Sequence, residues 1–355
     1  RVVSLRDVIV TWWPEGLDDP VIQYARKVTQ RVVRDASVIL TVSEWSKRDI
    51  CERFQCDPGK VHLSLNGLHP EVLKGAPAGA GDRARQDYAE GRQYMFAIGA
   101  GLERKNTGRM IEAFALARER RPDLPHLLLI SGLGGHIDRF KERAQKAGVL
   151  EHVRFLPYLS QADLIALYAG ADLCIYPSIV EGWGIPVTEA LALGTPIVTS
   201  NTSAMPEAGG EHARYFDPHD VDSMATTIVD AIDSYVPAWP DMRAAAIGRA
   251  RQLTWTKTAS GVLEAYLDSV PDHIEVLLRK YRYRDLAIKV HAVDGFDNFV
   301  EVAPLIDFQN YMDDSGMYNP ASDYDIAKAV AIDGMRKQTH FRKLLRHTRP
   351  TTLEI

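Results

Sequence analysis

The sequence has few cysteines and no strong excess of either charge. Only three cysteines, Cys51, Cys56 and Cys174, occur in 355 residues, which is too few for a disulfide scaffold and is typical of a reducing compartment. Lys and Arg number 42 against 47 Asp and Glu, a net charge of −5. The basic excess that non-specific nucleic-acid binding needs is therefore missing. A hydrophobic fraction of 46% excludes a disordered chain, and the length indicates two domains.

Long hydrophobic runs and metal-ligand spacings are missing as well. The longest candidate membrane span, 164–180, is interrupted by Gly170, Asp172 and Pro177, whereas a span needs about 20 apolar residues. The 11 histidines show no metal-ligand spacing. We therefore expect no transmembrane helix, no metal and no cofactor. Together with the few cysteines, this predicts a cytoplasmic location, either free or peripheral at the inner face of the membrane. The chain begins at Arg1 rather than Met, so we expect that a native start is missing, by cleavage, cloning or renumbering.

Apolar, often β-branched runs alternate with helical patterns along most of the chain. In the first part this predicts strands at 8–11, 38–42 and 61–65, with helices at 22–33 and 45–54. In the second part it predicts strands at 94–98, 127–130, 153–156, 173–176 and 197–199, with helices at 107–120, 137–147, 161–169 and 186–193. This order predicts two doubly wound parallel sheets of the Rossmann type, facing a cleft at the carboxyl ends of their strands.

The same reading predicts five regions. A partial N-terminal Rossmann-like domain covers 1–75, and a linker rich in Ala, Gly and charge, without apolar periodicity, covers 76–91. The second Rossmann-like domain covers 92–254. A closing helix covers 255–270, and 271–355 is an unassigned extension that we expect to be mainly helical.

A glycine-rich turn followed by two cations comes after the strand at 94–98. Glycines at 99 and 101 let the backbone approach a ligand closely. Arg104 and Lys105 precede Asn106, the expected cap of the next helix, and a helix N-terminus favours an anion. A solvated basic turn is the alternative. The spacing of a P-loop is absent.

A second candidate loop, PSIVEGWGIPVTE at 177–189, follows the strand at 173–176. Gly182 and Gly184 flank Trp183 and make a tight loop whose N–H groups can face a ligand. Glu181 lies in the loop and Glu189 in the first turns of the following helix. A carboxylate offers two acceptor oxygens, which suits the vicinal hydroxyls of a sugar.

These two loops together resemble the family 4 retaining glycosyltransferases of GT-B fold. The resemblance rests on Arg104-Lys105-Asn106 after a glycine-rich turn and on Glu181-x7-Glu189 within PSIVEGWGIPVTEALALGTPIVTSN. VRFLPYLSQADLIALYAGAD before that loop and MPEAGGEHARYFDPHDVDSMA after it are also similar to the family. The likeness runs from about residue 1 to 270, and in overall character it is nearest to bacterial mannosyltransferases of polysaccharide assembly.

The resemblance implies a role for each site residue. Arg104 and Lys105 would hold the donor diphosphate, Glu189 the ribose, and Glu181 with the backbone of Gly182, Trp183, Gly184 and Ile185 the transferred sugar. Tyr158 and Leu159 would lie near the base, and Gly101 and Gly132 would also line the donor. Arg104, Lys105 and Glu181 would be the catalytic set. Transfer would proceed with retention, without a metal, by front-face attack on a nucleotide diphosphate sugar.

One position departs from the family pattern. A His-Asp pair is usual where this chain has Arg6-Asp7, and the family histidine normally lies near the transferred sugar. Arg6 cannot act as a base, because its guanidinium stays protonated. A glycosidase, which also uses two carboxylates, is a further alternative for Glu181 and Glu189, although a hydrolase needs no diphosphate site.

Three weaker signals have ordinary explanations beside functional ones. Asp323-Tyr324-Asp325 could bind a metal, or Ser322 and Asp325 could form a capping box before a helix at 326–336. Trp12-Trp13 could stack on a sugar or lipid, or simply pack. The basic segments 280–284 and 342–346 could contact an anionic membrane, or form a solvated helix face.

The sequence therefore predicts an enzyme that transfers a hexose to a glycan or lipid-linked glycan. GDP-mannose is the favoured donor and a UDP-hexose is the next. The alternative is a non-catalytic nucleotide-sugar-binding or assembly subunit with an incomplete acceptor domain. The acceptor, the linkage and the oligomeric state stay open.

Overall fold

The computed structural model describes residues 2–14, 17–268, 287–293 and 297–303. Within these ranges the chain forms two parallel sheets, each with flanking helices, and one separate pair of strands. The two parallel α/β units confirm the predicted fold class. None of the described helices combines the length and the hydropathy of a membrane-spanning segment.

The first sheet has three parallel strands in the order β1-β2-β3. They are β1 Val2–Ser4, β2 Val38–Thr41 and β3 Val61–Leu63, and the helices of this part are α1 Pro20–Asp35, α2 Glu44–Phe54 and α3 Pro70–Lys74. Ser43 caps α2 as expected, because its hydroxyl accepts a hydrogen bond from Ser46 N.

The strand predicted at 8–11 is wrong. Ile9–Thr11 is instead a short 3-10 helix. Its backbone bonds locally, since Asp7 Oδ1 accepts from Ile9 N at 3.1 Å and Thr11 Oγ1 donates to Val8 O at 2.6 Å. Such side-chain bonds to the backbone compete with strand pairing. Trp12 packs here, with its indole N–H on Asp49 and the Arg53 guanidinium 3.7 Å above its ring.

The second sheet has six parallel strands in the order β6-β5-β4-β7-β8-β9. They are β4 Tyr94–Ile98, β5 Leu127–Ser131, β6 Val153–Phe155, β7 Leu173–Tyr176, β8 Ile197–Ser200 and β9 Arg214–Phe216. Counted from β4, the order is 3-2-1-4-5-6, that of a dinucleotide-binding Rossmann fold. The strand order reverses between β4 and β7, and the carboxyl ends of the strands at such a reversal are where open α/β sheets bind ligands.

Helices cover both faces of this sheet. They are α4 Ala80–Ala89, α5 Thr107–Arg120, α6 Ile137–Lys146, α7 Gln161–Gly170, α8 Ile185–Ala192, α9 Met205–Gly209, α10 Val221–Asp230 and α11 Val236–Ala250, and a π-helical stretch, Ala231–Tyr235, joins the last two. The strands β5, β7 and β8 are buried throughout, which explains why they read as unbroken apolar runs in the sequence.

The segment predicted as a linker contains a packed helix. Within 76–91, α4 buries Ala84 and Ala89 against the core of the second sheet. Arg85 on this helix pairs with Asp172 at 3.0 Å and donates to Gly170 O at 2.9 Å, just before β7. The alanines that suggested a flexible stretch are therefore the contact residues of a tightly packed helix.

The predicted closing helix is present as α12 Trp255–Asp268. It returns to the first sheet, where Val262 and Ala265 pack on Val38 and Leu40. Farther along, the described residues form an antiparallel pair, β10 Ala287–Val293 and β11 Asp297–Ala303. The expectation of a mainly helical extension is wrong for these two stretches. The predictions at 280–284, 322–336 and 342–346 lie outside the described residues.

Candidate functional site

The candidate site lies where β4 and β7 end side by side. The turn at 99–106 follows β4, and the loop at 177–184 follows β7. The two segments are joined through the backbone, because Ile179 N donates to Arg104 O at 2.7 Å. The two loops singled out from the sequence are therefore neighbours at the point where the strand order reverses.

At this point the cationic side chains of Arg104 and Lys105 both contact one carboxylate oxygen of Glu181. Glu181 Oε1 lies 2.9 Å from Arg104 Nη1 and 2.6 Å from Lys105 Nζ. The hydroxyls of Tyr176 and Ser178 donate to the same oxygen at 3.1 and 2.6 Å. We call Arg104, Lys105 and Glu181 the charge cluster. It carries a net charge of +1 in a largely buried environment, which favours binding of an anion.

The surroundings of Glu181 keep it ionised. Burial alone raises the pKa of this carboxyl, but the charges of Lys105 and Arg104 and the hydrogen bonds from Lys105 and Ser178 outweigh burial. The pKa of Glu181 therefore lies below its ordinary value. The carboxylate holds the two cations in fixed positions, so that a ligand need not order them.

Asn106 serves a different purpose from the one expected. Its side chain makes no cap to α5, and its backbone is left-handed at φ 59°. The amide Nδ2 instead donates to Pro177 O at 3.1 Å and to Pro218 O at 2.7 Å. Asn106 thus joins the loops that follow β4, β7 and β9, while Arg104 and Lys105 lie in a short 3-10 helix before α5.

The glycines of the first turn allow close packing between loops. A Cβ on Gly101 would lie 2.1 Å from the His136 ring. Gly132 has φ +85°, and a Cβ there would lie 2.8 Å from Gly99 O. These contacts bring the loops after β4 and β5 together.

The rest of the second loop faces the first domain. A Cβ on Gly182 would lie 2.8 Å from Asp7 Cβ, so only glycine permits this approach. Trp183 is buried, and its indole N–H has no hydrogen-bond partner among the described residues. Gly184 is the N-cap of α8, and Ile185, the first residue of the helix, is exposed.

Glu189 lies apart from the charge cluster. Glu189 is a buried residue of α8, and its carboxylate accepts a hydrogen bond from the Tyr168 hydroxyl at 3.2 Å. Burial raises the pKa of Glu189 to about 7, and the bond from Tyr168 opposes this only in part. No hydrogen bond or ion pair in the described part of the chain joins Glu189 to Arg104 or Lys105.

The raised pKa of Glu189 predicts that stability falls as the pH rises toward neutrality. The folded state binds a proton at a pKa of about 7 and the unfolded state only at 4.5, so the free energy of unfolding falls between these values. The slope is at most about 1.4 kcal/mol per pH unit. Glu189→Gln should abolish this component in urea unfolding curves at pH 5, 6, 7 and 8. Glu112→Gln, at a half-exposed ion pair with Arg143, should retain this pH-dependent component. Equal slopes of stability against pH in Glu189→Gln and the parent would show that Glu189 is not its source.

Tyr158 and Leu159 follow β6, on the far side of β5. Tyr158 is 91% exposed, whereas Leu159 packs partly against the core. The exposed ring is available to a ligand, and in the part of the chain that the structure describes no hydrogen bond links it to Arg104, Lys105 or Glu181.

The first domain adds polar groups that the sequence did not assign to the site. Arg6 Nη2 donates to Asn66 Oδ1 at 2.8 Å, and both residues follow strands of the first sheet. Burial raises the pKa of the neighbouring Asp7, and the charge of Glu181 raises it further. Asp7 and Glu181 therefore face each other across the cleft. Ser43, Ser46 and Glu207 also reach across it, and no spacing in the sequence indicated this.

The polar residues around the charge cluster were missed for a physical reason. Tyr176 and Ser178 flank the end of β7, and only the side-by-side arrangement of β4 and β7 makes them partners of Lys105 and Glu181. In the described ranges there is no group of three or more His, Cys, Asp or Glu residues that could hold a metal ion.

Comparison of this sequence with known proteins finds glycosyltransferases. The family model for glycosyl transferases group 1 matches residues 81–253, which span both loops of the site. O-antigen chain mannosyltransferase B of Escherichia coli is 28% identical over 268 residues, 75% of this chain and 69% of that protein. A D-inositol 3-phosphate glycosyltransferase of Salinispora arenicola is 31% identical over 264 residues, 68% of this chain and 57% of that protein. The chain thus spans between 57 and 69% of the length of these two relatives.

Solved structures show the same fold. Anabaena Alr3699/HepE in complex with UDP-glucose superposes with a TM-score of 0.60 at 17% identity, covering 78% of this chain and 72% of that one. At this identity the likeness concerns the fold, which is the GT-B arrangement expected from the sequence.

Proposed function

We propose that this chain, which matches the family model for glycosyl transferases group 1 over residues 81–253, moves a hexose from a nucleotide diphosphate sugar to a glycan or lipid-linked glycan. GDP-mannose is the favoured donor and a UDP-hexose the next. The mannosyltransferase relative supports the first, and the UDP-glucose complex of a protein of the same fold supports the second.

The observation that carries the proposal is the charge cluster at the reversal of strand order. Arg104 and Lys105 are fixed within hydrogen-bond distance of one carboxylate oxygen, at the carboxyl ends of β4 and β7. Open α/β sheets bind ligands at this place. A diphosphate here would accept bonds from both cations in addition to Glu181.

The proposed chemistry depends on charge that develops on the donor. As the bond between the sugar and the diphosphate breaks, negative charge builds on the leaving oxygens. Arg104 and Lys105 stabilise this negative charge from positions that are already fixed. Such preorganised electrostatic stabilisation is usually the largest single contribution to catalysis. The oxygen of the acceptor hydroxyl bonds to the anomeric carbon on the face from which the diphosphate departs, so the configuration is retained, and the leaving diphosphate takes the proton of that hydroxyl. The two cations supply the charge that a metal would otherwise supply, and metal independence remains part of the proposal.

The remaining assignments are proposals of the same kind. Glu189 binds the ribose, and Glu181 with the backbone of 182–185 binds the transferred sugar. Tyr158 and Leu159 lie near the base, and Gly101 and Gly132 line the donor. The bonds that Glu181 already makes give it a second role, which is to position both cations.

Nucleotide release tests the proposal directly. The protein is incubated with GDP-mannose or UDP-glucose, with and without acceptor glycans, and free GDP or UDP is measured. Release that increases with a glycan is the expected result. Donor binding without release would instead favour a non-catalytic nucleotide-sugar-binding subunit, and neither binding nor release with any tested nucleotide sugar would reject the function.

A further inference from the structure

The first turn of α2 contacts the second loop of the site across the cleft. The hydroxyls of Ser43 and Ser46 both donate to Gly182 O, at 2.7 and 3.1 Å. Both serines are completely buried, although their only described link to the second domain is this one carbonyl. A buried polar contact of this kind holds its partners in one arrangement, because separation leaves groups that must be solvated again.

Glu207 makes a second contact with the same helix. Its carboxylate accepts hydrogen bonds from Glu44 N at 2.8 Å and from Trp45 N at 2.7 Å, the first two residues of α2. These N–H groups have no partner within the helix, and the helix dipole favours a negative charge there. Arg249 fixes the backbone of Glu207 from the other side, by donating to Glu207 O and Ala208 O at 2.6 and 2.7 Å.

The peptide that the serines contact also adjoins the charge cluster. Glu181 N donates to Ser203 Oγ at 3.1 Å, so the segment 181–182 is held by its own domain at one end and by α2 at the other. The side chain of Glu181 then positions Arg104 and Lys105. A shift of Gly182 would therefore displace Glu181, and the displaced carboxylate would no longer hold the two cations in place.

We infer that Ser43, Ser46, Gly182 and Glu207, here called the interdomain contact, tie closure of the cleft to the alignment of the charge cluster. Ser46 and Glu207 are positioning residues, because they act through Gly182 and α2 and touch no reacting atom. The expected effect of the interdomain contact on catalysis rests on the proposed function, whereas its expected effect on the structure does not. With the interdomain contact formed, Asp7 lies against Gly182 and faces Glu181. When the contact breaks, the second domain keeps Arg104 and Lys105, but Glu181 no longer holds them in the same positions.

Hydrogen–deuterium exchange tests the structural half without any substrate. Glu207→Ala removes the acceptor of Glu44 N and Trp45 N, and should speed exchange by about tenfold in peptides that cover 44–46 and, far away in sequence, 181–184. Glu211→Ala is the matched control, since Glu211 is exposed on the neighbouring segment and, within the described ranges, forms an ion pair only with His212. It should leave both peptides unchanged. Unchanged exchange in the 181–184 peptide of Glu207→Ala overturns the inference.

Steady-state kinetics with GDP-mannose tests the catalytic half. Glu207→Ala should lower kcat by about tenfold and leave the donor KM within about twofold, because the donor-binding groups stay on the second domain. Glu207→Gln keeps one acceptor oxygen and should recover part of the rate. Ser46→Ala, which leaves the Ser43 bond and the α2 cap intact, should cause a smaller loss of kcat and guards against a folding defect in the first variant. A raised KM with unchanged kcat would contradict a positioning role. If the parent protein releases no nucleotide, the proposed function fails while the exchange result still decides the interdomain contact.

Discussion

Arg104→Ala is expected to lower kcat/KM for GDP-mannose by about 10³-fold, since removal of one preorganised donor to a developing negative charge costs about 10² to 10³. Arg104 is also one of the two cations that neutralise Glu181. Its loss makes the site more negative, and this disfavours the negatively charged donor. The loop itself should remain in place, because Arg104 O still accepts a hydrogen bond from Ile179 N. GDP release measured over a range of donor concentrations gives the ratio.

Two further variants separate the role of Arg104 from a general loss of charge. Arg104→Lys keeps the charge without the forked donor and should fall between the parent and the alanine variant. Arg120→Ala, at the far end of α5, where Arg120 bonds with Thr226 at the surface, should retain the parent rate. An alanine variant at Arg104 that turns over GDP-mannose normally would remove Arg104 from the mechanism.

Glu181→Gln is expected to change binding and turnover in opposite directions. The amide keeps the size and one acceptor oxygen but removes the negative charge that neutralises Arg104 and Lys105. Free GDP should therefore bind about tenfold more tightly, because its diphosphate no longer shares the cations with a carboxylate. Transfer should fall by about 10²-fold, since the cations are no longer fixed and the sugar loses its charged acceptor. Calorimetric titration with GDP and nucleotide release from GDP-mannose give the two quantities.

The opposing signs make this result specific to the charge cluster. Glu112→Gln removes a carboxylate of the same domain that pairs with Arg143 at 2.8 Å, and it should change neither quantity. Weaker GDP binding by Glu181→Gln would show that the carboxylate matters chiefly as a positioning group, and parent-like transfer would remove it from the catalytic set. A thermal unfolding scan of each variant identifies loss of fold, which a broken buried ion pair can cause.

Much of the fold was predicted from hydrophobic patterning. The unbroken apolar runs of β5 and β7 are buried on both faces, and Ser43 caps α2 as its position indicated. Patterning was wrong where local hydrogen bonds or small residues decided the structure. The bonds of Asp7 and Thr11 turn 9–11 into a 3-10 helix, and α4 packs through alanines that carry no apolar periodicity.

The site shows a similar division between sequence and tertiary structure. The resemblance named Arg104, Lys105 and Glu181, and the structure brings these three together. It could not name the contacts that hold them, since Tyr176, Ser178 and the Gly182 carbonyl are ordinary groups in the sequence.

By itself, the sequence determined which chemical groups this protein has and on which turns they lie, because apolar periodicity and glycine positions act over a few residues. Only the tertiary structure decided that Arg104 reaches a carboxylate 77 positions away, and that Ser43 reaches a carbonyl 139 positions away. The reason is that strand order and domain closure are set by packing between distant segments. In this chain β7 lies beside β4, and α2 lies against the loop at Gly182.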